Sequence, residues 1–546
     1  MKITTQNIAH IVITVTLLFS NITHAKRMFM LENEIPHLKI LNKPTPEMFA
    51  IGPTDFVVFN GLIAVLDSDN HAISFFNQRG NYIKRIELPL GYYQRLIRDR
   101  DGALFAFANN GLTTSIVKIS NEKFEQKELN INFGSLISRA VIDDFGLFFE
   151  SVSPLNLSTL NELSNCPSCL LKKEKARLSQ SKKQRIDRSC FICNPQEIDG
   201  PLVKGQHYQI VYEGVNGQKP FLIIGEQKIK LNHEVMNAGT RIEQIDTDGT
   251  VWVRESIFFD RYTVVTYLLK ITASGELKAV FRLPKISVDD YVVHSIAINE
   301  KGEVWFMSGQ PKGLAFDLVE PLPENKKYQF LESQNLLALA NSNSRPDVEP
   351  RVLQPLNDEP CQSRTEIFIR ALQYLYNREC YLSQAIENDP SCPGRSIPPY
   401  LVGKESQCLF SVSYSWGGFD SVDSFHEKIT RIKAGNVNTA INPLPSCTAG
   451  VDCSGFISNL WGLKTKWNTS QIFEKTSPIS IEWMKTGDVF VKPGDHVILF
   501  VGTVNDELST FESVVRPGLV ISSQHEIGWF VQHGYFSRLA FNACEE

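Results

Sequence analysis

Residues 451–456 read Val451-Asp452-Cys453-Ser454-Gly455-Phe456, and residues 492–502 read Lys492-Pro493-Gly494-Asp495-His496-Val497-Ile498-Leu499-Phe500-Val501-Gly502. The first stretch has a thiol opening a helix; the second has a histidine opening a strand. That layout suits nucleophilic catalysis. The thiolate is the nucleophile, and a free cysteine is mostly protonated at neutral pH. A helix N-terminus and a nearby imidazolium both stabilise a sulfur anion. The unpaired N–H groups of the first helical turn can also hold the oxyanion of a tetrahedral intermediate. Cys453 is therefore the candidate nucleophile and His496 the candidate base. The bland alternatives are a disulfide-bonded or buried cysteine and a packed strand-edge histidine.

Two further pieces flank this pair: Tyr414-Ser415-Trp416-Gly417-Gly418 upstream, and Gly487-Asp488-Val489-Phe490 between the cysteine and the histidine. Taken in order, the pieces resemble the motifs of the NlpC/P60 cysteine peptidases, a family of bacterial cell-wall hydrolases. The resemblance covers residues 361–546 and says nothing about the first 360. It implies an α+β papain-like domain that cleaves peptidoglycan stem peptides between D-γ-glutamyl and diaminopimelyl residues, with no metal or organic cofactor. It places Tyr414 beside the sulfur, where its hydroxyl would assist the oxyanion. It gives Asp452 and Ser454 the recognition of the acceptor peptide's amine.

The family's third polar residue, which orients the histidine, is normally His, Asn or Gln on the next strand. Here that strand reads Ser509-Thr510-Phe511-Glu512-Ser513-Val514, so Glu512 is the candidate, with Gln524 and His525 as runners-up. The related CHAP amidases are similar in using a glutamate there. A turn near residues 505–507 would return the chain beside His496, and alternation would turn Phe511 and Ser513 away from Glu512. The expected geometry has Glu512 accepting the Nδ1 proton while Nε2 faces Cys453. One departure from the family is an intervening stretch, residues 419–451, with a helix-like run and Cys447. It is positioned to shape or cover part of the cleft.

Residues 45–325 read differently. Short β-rich runs alternate with polar turns, and one phrase recurs: a polar turn with glycine, then a strand with aromatics. It appears around Gly61, Gly102, Gly146, Gly249 and Gly302. The intervals are about 40–50 residues, with one double gap, which is the period of a four-stranded propeller blade. The expected architecture is an all-β propeller-like N-terminal domain of five to six blades; a less regular pair of β-sandwiches is the alternative. Trp252 and Trp305 are expected to be core. The double gap holds a Cys-rich insertion, residues 160–200, with Cys166, Cys169, Cys190 and Cys193. Disulfides and a zinc site both fit that spacing. Residues 326–360, with Pro346, Pro350, Pro355 and Pro360, read as a linker.

The chain has 546 residues, more than one core accommodates, and its composition is that of a soluble globular protein. A net charge of −5 argues against a general nucleic-acid or polybasic membrane binder. Residues 1–25 read as a secretory signal, with Lys2, an apolar run at 11–19 and Thr23-His24-Ala25 as the cleavage site; an uncleaved anchor is the alternative. The expected location is periplasmic or secreted, with no membrane association after cleavage. With Cys453 set aside as nucleophile, ten of the eleven cysteines remain for pairing.

The sequence reading is thus an exported two-domain cysteine hydrolase of peptidoglycan peptides, with a propeller that binds glycan, peptide or protein. The alternatives are an inactive wall- or protein-binding protein and an amidase or acyltransferase using the same Cys-His pair.

Overall fold

In a computed structural model, the residues described are 25–32, 52–68, 70–89, 93–109, 114–120, 123–129, 136–154, 179–187, 196–213, 219–231, 237–260, 263–285, 295–310, 313–323, 362–387, 392–440, 446–504, 507–541 and 543–544. The expected signal segment before residue 25, the four cysteines at 166–193 and the linker at 326–360 lie outside them.

The N-terminal half forms six four-stranded sheets. In four of them the strands follow chain order: Asp55–Glu87, Tyr93–Leu129, Leu202–Lys230 and Asn237–Arg282. The third in chain order runs from Leu136 to Glu197, and every neighbouring pair in it is antiparallel. The sixth joins Ile296–Ile298, Val304–Gln310 and Gly313–Val319 to Ala25–Glu32, a strand from before residue 45. Pairing runs from Ala25 opposite Val319 to Glu32 opposite Gly313.

Apolar side chains then fill the spaces between successive sheets. Ala64, Leu66, Leu96 and Leu104 pack together between the first and second. Phe105, Phe107, Leu147 and Phe149 do so between the second and third. Tyr208, Leu222, Val251 and Val253 join the fourth and fifth, and Trp252, Leu268, Phe306 and Val319 join the fifth and sixth. Leu31, Phe56, Ile63, Trp305 and Phe316 close the circuit from sixth back to first. Between the third and fourth the bridge is polar: the Asp143 carboxylate accepts from Leu202 N at 3.1 Å and pairs with Arg185. The region is propeller-like.

Turn chemistry explains the repeat. The glycines at 61, 102, 249 and 302 have φ between 74° and 88° in the turn joining the first two strands of a sheet, a conformation that favours glycine. Asp99 N donates to Ala103 O at 2.7 Å, and Asp246 N donates to Thr250 O at 2.8 Å. The double gap contains the corresponding turn of the fourth sheet at Lys204-Gly205, where Gly205 has φ 73°. Trp252 and Trp305 are fully buried.

The C-terminal region is built on a five-stranded antiparallel sheet, in the order Val520–Glu526, Glu507–Ser513, His496–Val504, Val489–Lys492, Phe536–Arg538. Alternation sorts its two faces. Val489, Val491, Val497, Leu499 and Phe511 pack with the helices Arg364–Tyr376 and Cys453–Leu460. Phe490, Ile498, Phe500 and Leu508 pack with Phe530 of the helix Ile527–Gln532. Disulfides Cys380–Cys408 and Cys392–Cys447 tie down loops around the first face, and Cys544 is also disulfide-bonded. The second disulfide anchors the stretch between Gly418 and Cys453.

Because Leu31 is buried in the closing interface, Leu31→Ala should destabilise the ring by about 2–5 kcal/mol, the usual cost of such a cavity. Urea unfolding followed by tryptophan fluorescence would measure it. Tyr82→Ala, at an exposed position on the outer strand of the first sheet, should change stability far less.

Candidate active site

Helix Cys453–Leu460 is capped by Asp452, which has extended backbone geometry. Its Oδ1 accepts from Gly455 N at 2.7 Å and from Ser454 Oγ at 3.1 Å. Its Oδ2 accepts from Gly417 N at 2.9 Å and pairs with Lys466. One carboxylate therefore starts the helix and pins the Trp416-Gly417-Gly418 turn against it. A side chain at Gly455 would run into the Gly418 carbonyl oxygen, and one at Gly418 into the Gly450 carbonyl oxygen. Asp452 and Ser454, expected to touch substrate, are buried here and engaged with protein partners.

The Gly487-Asp488 piece also has a local cause. Gly487 has φ 99°, and buried Asp488 accepts from Arg364 Nη1 at 2.9 Å and from Ala540 N at 2.8 Å. It fastens the first helix and the chain's end to the strand that leads towards His496.

Cys453 is a free, buried cysteine, 3% exposed. His496 is 5% exposed, and its Nε2–H donates to Glu512 Oε2 at 2.8 Å. This reverses the expected ring orientation: Nε2, not Nδ1, meets the carboxylate. The reason is steric placement. His496 stands at the first residue of its strand, so the far nitrogen of the ring reaches the neighbouring strand. Nδ1 is left for the thiol, and the ring is coupled electrostatically to the Cys453 sulfur. Burial disfavours the charged ring, yet the Cys453 sulfur and the Glu512 carboxylate outweigh it and hold the His496 pKa up at about 10.

Glu512 is itself buried, which works against its charge, but His496 and His525 hold its carboxyl well below the usual carboxylate range. Ser523 Oγ donates to its second oxygen, Oε1, at 2.5 Å. His525 Nε2 lies 3.7 Å from that oxygen, within ion-pair reach but beyond a hydrogen bond. Gln524, the other runner-up, turns away and donates to Ser509 Oγ at 3.3 Å. Phe511 faces the helices, and Ser513 Oγ donates to Val451 O at 2.8 Å, so both point away from the carboxylate.

Tyr414 is fully buried, and its hydroxyl has no hydrogen-bond partner among the described residues. Burial, then the charges of Asp452 and Cys453, push its pKa well above the ordinary tyrosine value. The proton therefore stays on the oxygen, which keeps the hydroxyl a donor. The sequence reading missed Tyr535. Its ring stands edge-on to His496 at 6.4 Å between centroids, and its hydroxyl feels Glu512, Asp495 and Cys453. No motif marks it, because it reaches the site from the turn after the helix Ile527–Gln532. Among the described residues no group of three or more His, Cys, Asp or Glu could hold a metal ion. None of the described helices is long and apolar enough to cross a membrane.

No family model and no curated protein matches the chain. Solved structures similar to it include Kuenenia stuttgartiensis hydrazine synthase, at 11% identity and a TM-score of 0.31 over 56% of this chain and 84% of that one. Virginiamycin B lyase from Staphylococcus aureus gives 15% identity and a TM-score of 0.28 over 52% and 88%. The WD40 β-propeller domain of Doa1 gives 10% and 0.26 over 52% and 97%. At these scores the propeller-like assignment rests on the sheet order and the packing between sheets.

The protonated His496 ring contributes to folding most fully below the ordinary histidine range, and this contribution is lost as pH rises through about 10. In Cys453→Ala the ring should titrate clearly lower, since the sulfur is the largest influence raising it; Glu512→Gln should also lower it. Nitrogen-15 NMR of the imidazoles would follow both. A His496 titration unmoved in either variant would show that other groups set its charge.

Proposed function

We propose that the protein is an exported cysteine hydrolase of the NlpC/P60 type, acting on peptide bonds of peptidoglycan stem peptides. The observation that carries this reading is the free Cys453 at a helix start, coupled to a buried His496 whose charge the sulfur and then Glu512 favour. Ordered motif resemblance supplies the substrate class and the D-γ-glutamyl–diaminopimelyl bond. The N-terminal ring would supply binding to glycan, peptide or protein.

In this mechanism the Cys453 thiolate attacks the scissile carbonyl, and the oxyanion is met by N–H groups of the first helical turn and by the Tyr414 hydroxyl. His496 gives its proton to the leaving amine, and the acyl group remains on sulfur as a thioester. His496, now neutral, takes a proton from water, which attacks the thioester and releases the acid. Glu512 keeps the ring oriented and favours its charged form through both steps.

Mass spectrometry of muropeptides after incubation with mature protein tests this directly. New termini at a stem-peptide bond, absent with Cys453→Ala, are the expected result. Glu512→Gln should retain substrate binding and lower turnover by about tenfold to a thousandfold, more mildly than loss of the sulfur. Uncut muropeptides that nonetheless bind would favour a wall-binding protein. Turnover should also fall as pH rises through about 10, where His496 loses the proton the leaving amine needs.

A further inference from the structure

Among the described residues, Glu526 and the helix Ile527–Gln532 bring the C-terminal region against the ring, the helix packing on Asn237–Ile245, Val251–Asp260 and Thr263–Ile271. Arg254 Nη2 donates to Glu526 Oε1 at 2.7 Å, and Arg241 Nε lies 3.9 Å from the same oxygen. Both arginines belong to the fifth sheet of the ring, and both also pair with the buried Glu243, at 2.5 Å from Arg241 and 3.2 Å from Arg254. Glu243 in turn lies 3.6 Å from Arg95 of the second sheet, itself 3.8 Å from Asp55 of the first.

The backbone is shaped to admit this contact. Gly239 has φ 145°, and a side chain there would sit 2.5 Å from Glu526 Oε2. A Cβ at Gly528 would lie 3.0 Å from Ala238 Cβ. Gln532 Nε2 donates to Thr266 Oγ1 at 2.7 Å.

The other side of the same segment touches the candidate site. His525, next to Glu526, stands 3.7 Å from Glu512 and stacks on Trp529 at 4.0 Å between ring centroids. Trp529 stacks in turn on Tyr535 at 5.5 Å, and Tyr535 stands edge-on to His496. Residues 525–535 thus carry both the contact with the propeller-like ring and the contacts with the candidate site.

We infer that the propeller-like ring positions the cysteine site: the Arg254–Glu526 ion pair fixes the segment that holds His525 and Tyr535 against Glu512 and His496. Glu526 is a positioning residue in this scheme, and the inference rests on reading Cys453 as the nucleophile. The chain of effect is short. If Glu526 loosens, His525 and Tyr535 shift, Glu512 is held less firmly, and His496 stabilises the thiolate less. The charged or titratable groups facing this path are Arg241, Arg254 and Glu507 around Glu526, Glu243 against both arginines, His496, His525 and Tyr535 on Glu512, His533 stacked on Trp529, Asp495 near Tyr535, and Cys453 on His496.

The test measures alkylation of Cys453 by iodoacetamide against pH, with site mapping by mass spectrometry, in the mature full-length protein. Glu526→Gln keeps shape and removes charge. It should slow alkylation at pH 7 about three- to tenfold and move the profile to higher pH, with the disulfides and the melting of the ring unchanged. Glu526→Asp, which restores the charge, should recover part of the rate. A folded Glu526→Gln protein with the wild-type profile overturns the inference. If Glu526→Gln does not fold, Gln532→Ala decides by the same criterion, with a smaller shift expected. Wild-type Cys453 that resists alkylation at every pH would instead overturn the reading of Cys453 as nucleophile.

Discussion

Two glycines too close for any side chain decide where the sulfur sits. The Gly418 carbonyl occupies the space that a Cβ on Gly455 would need, and Gly418 itself lies against the Gly450 carbonyl. Only a turn without side chains can come this near to the start of a helix. Asp452 exploits that approach, with one oxygen on the helix and the other on the turn. Both glycine motifs and the aspartate are thus one device. It fixes the first turn of the helix, and Cys453 with it, against the glycine turn. Buried backbone contact of this kind has no slack, so the thiol is placed by packing rather than by a flexible loop.

The electrostatic half of the site is organised differently. His496 and Glu512 come from neighbouring strands, and both are buried, so each would lose its charge if left alone. Glu512 is held charged first by His496, and His496 first by the Cys453 sulfur and then by Glu512. The second carboxylate oxygen, with Ser523 and His525 around it, extends this dependence to a third strand. A site made this way is sensitive to how the sheet is held, which is where the contact with the ring acquires its importance.

The sequence was informative wherever the physics is local. Positive-φ turns demand glycine, so Gly61, Gly102, Gly249 and Gly302 punctuate the sheets visibly. The turn at Gly205 shares the positive φ, and Tyr208 follows at the spacing of Trp252 and Trp305 in their turns, but it lacks flanking acidic residues and so is hidden in the double gap. The outer strand of the sixth sheet carries no signal of its partner, because Arg27 and Asp317 are 290 positions apart. At the site, alternation along residues 507–513 correctly turns Phe511 and Ser513 away from Glu512. Which nitrogen of His496 meets Glu512 depends on where the ring stands between two strands, and sequence spacing does not contain that. Tyr535 and His525 reach the site through the seating of a short helix, which no linear motif records.

The pairing of Ala25–Glu32 with Gly313–Val319 makes the first strand of the ring the last to find its place. As the chain is made, five sheets can assemble from neighbouring segments, while Phe29, Met30 and Leu31 wait for residues nearly three hundred positions later. Until then the sixth sheet lacks its outer strand and Gly313–Val319 is an unpaired edge, the form in which β-proteins associate wrongly. Closure joins two edges that are remote in sequence, so its entropic cost falls on a single late step. The closed ring, once formed, has no terminal sheet from which unravelling can begin, and its persistence is governed by the rate at which one eight-residue strand peels away.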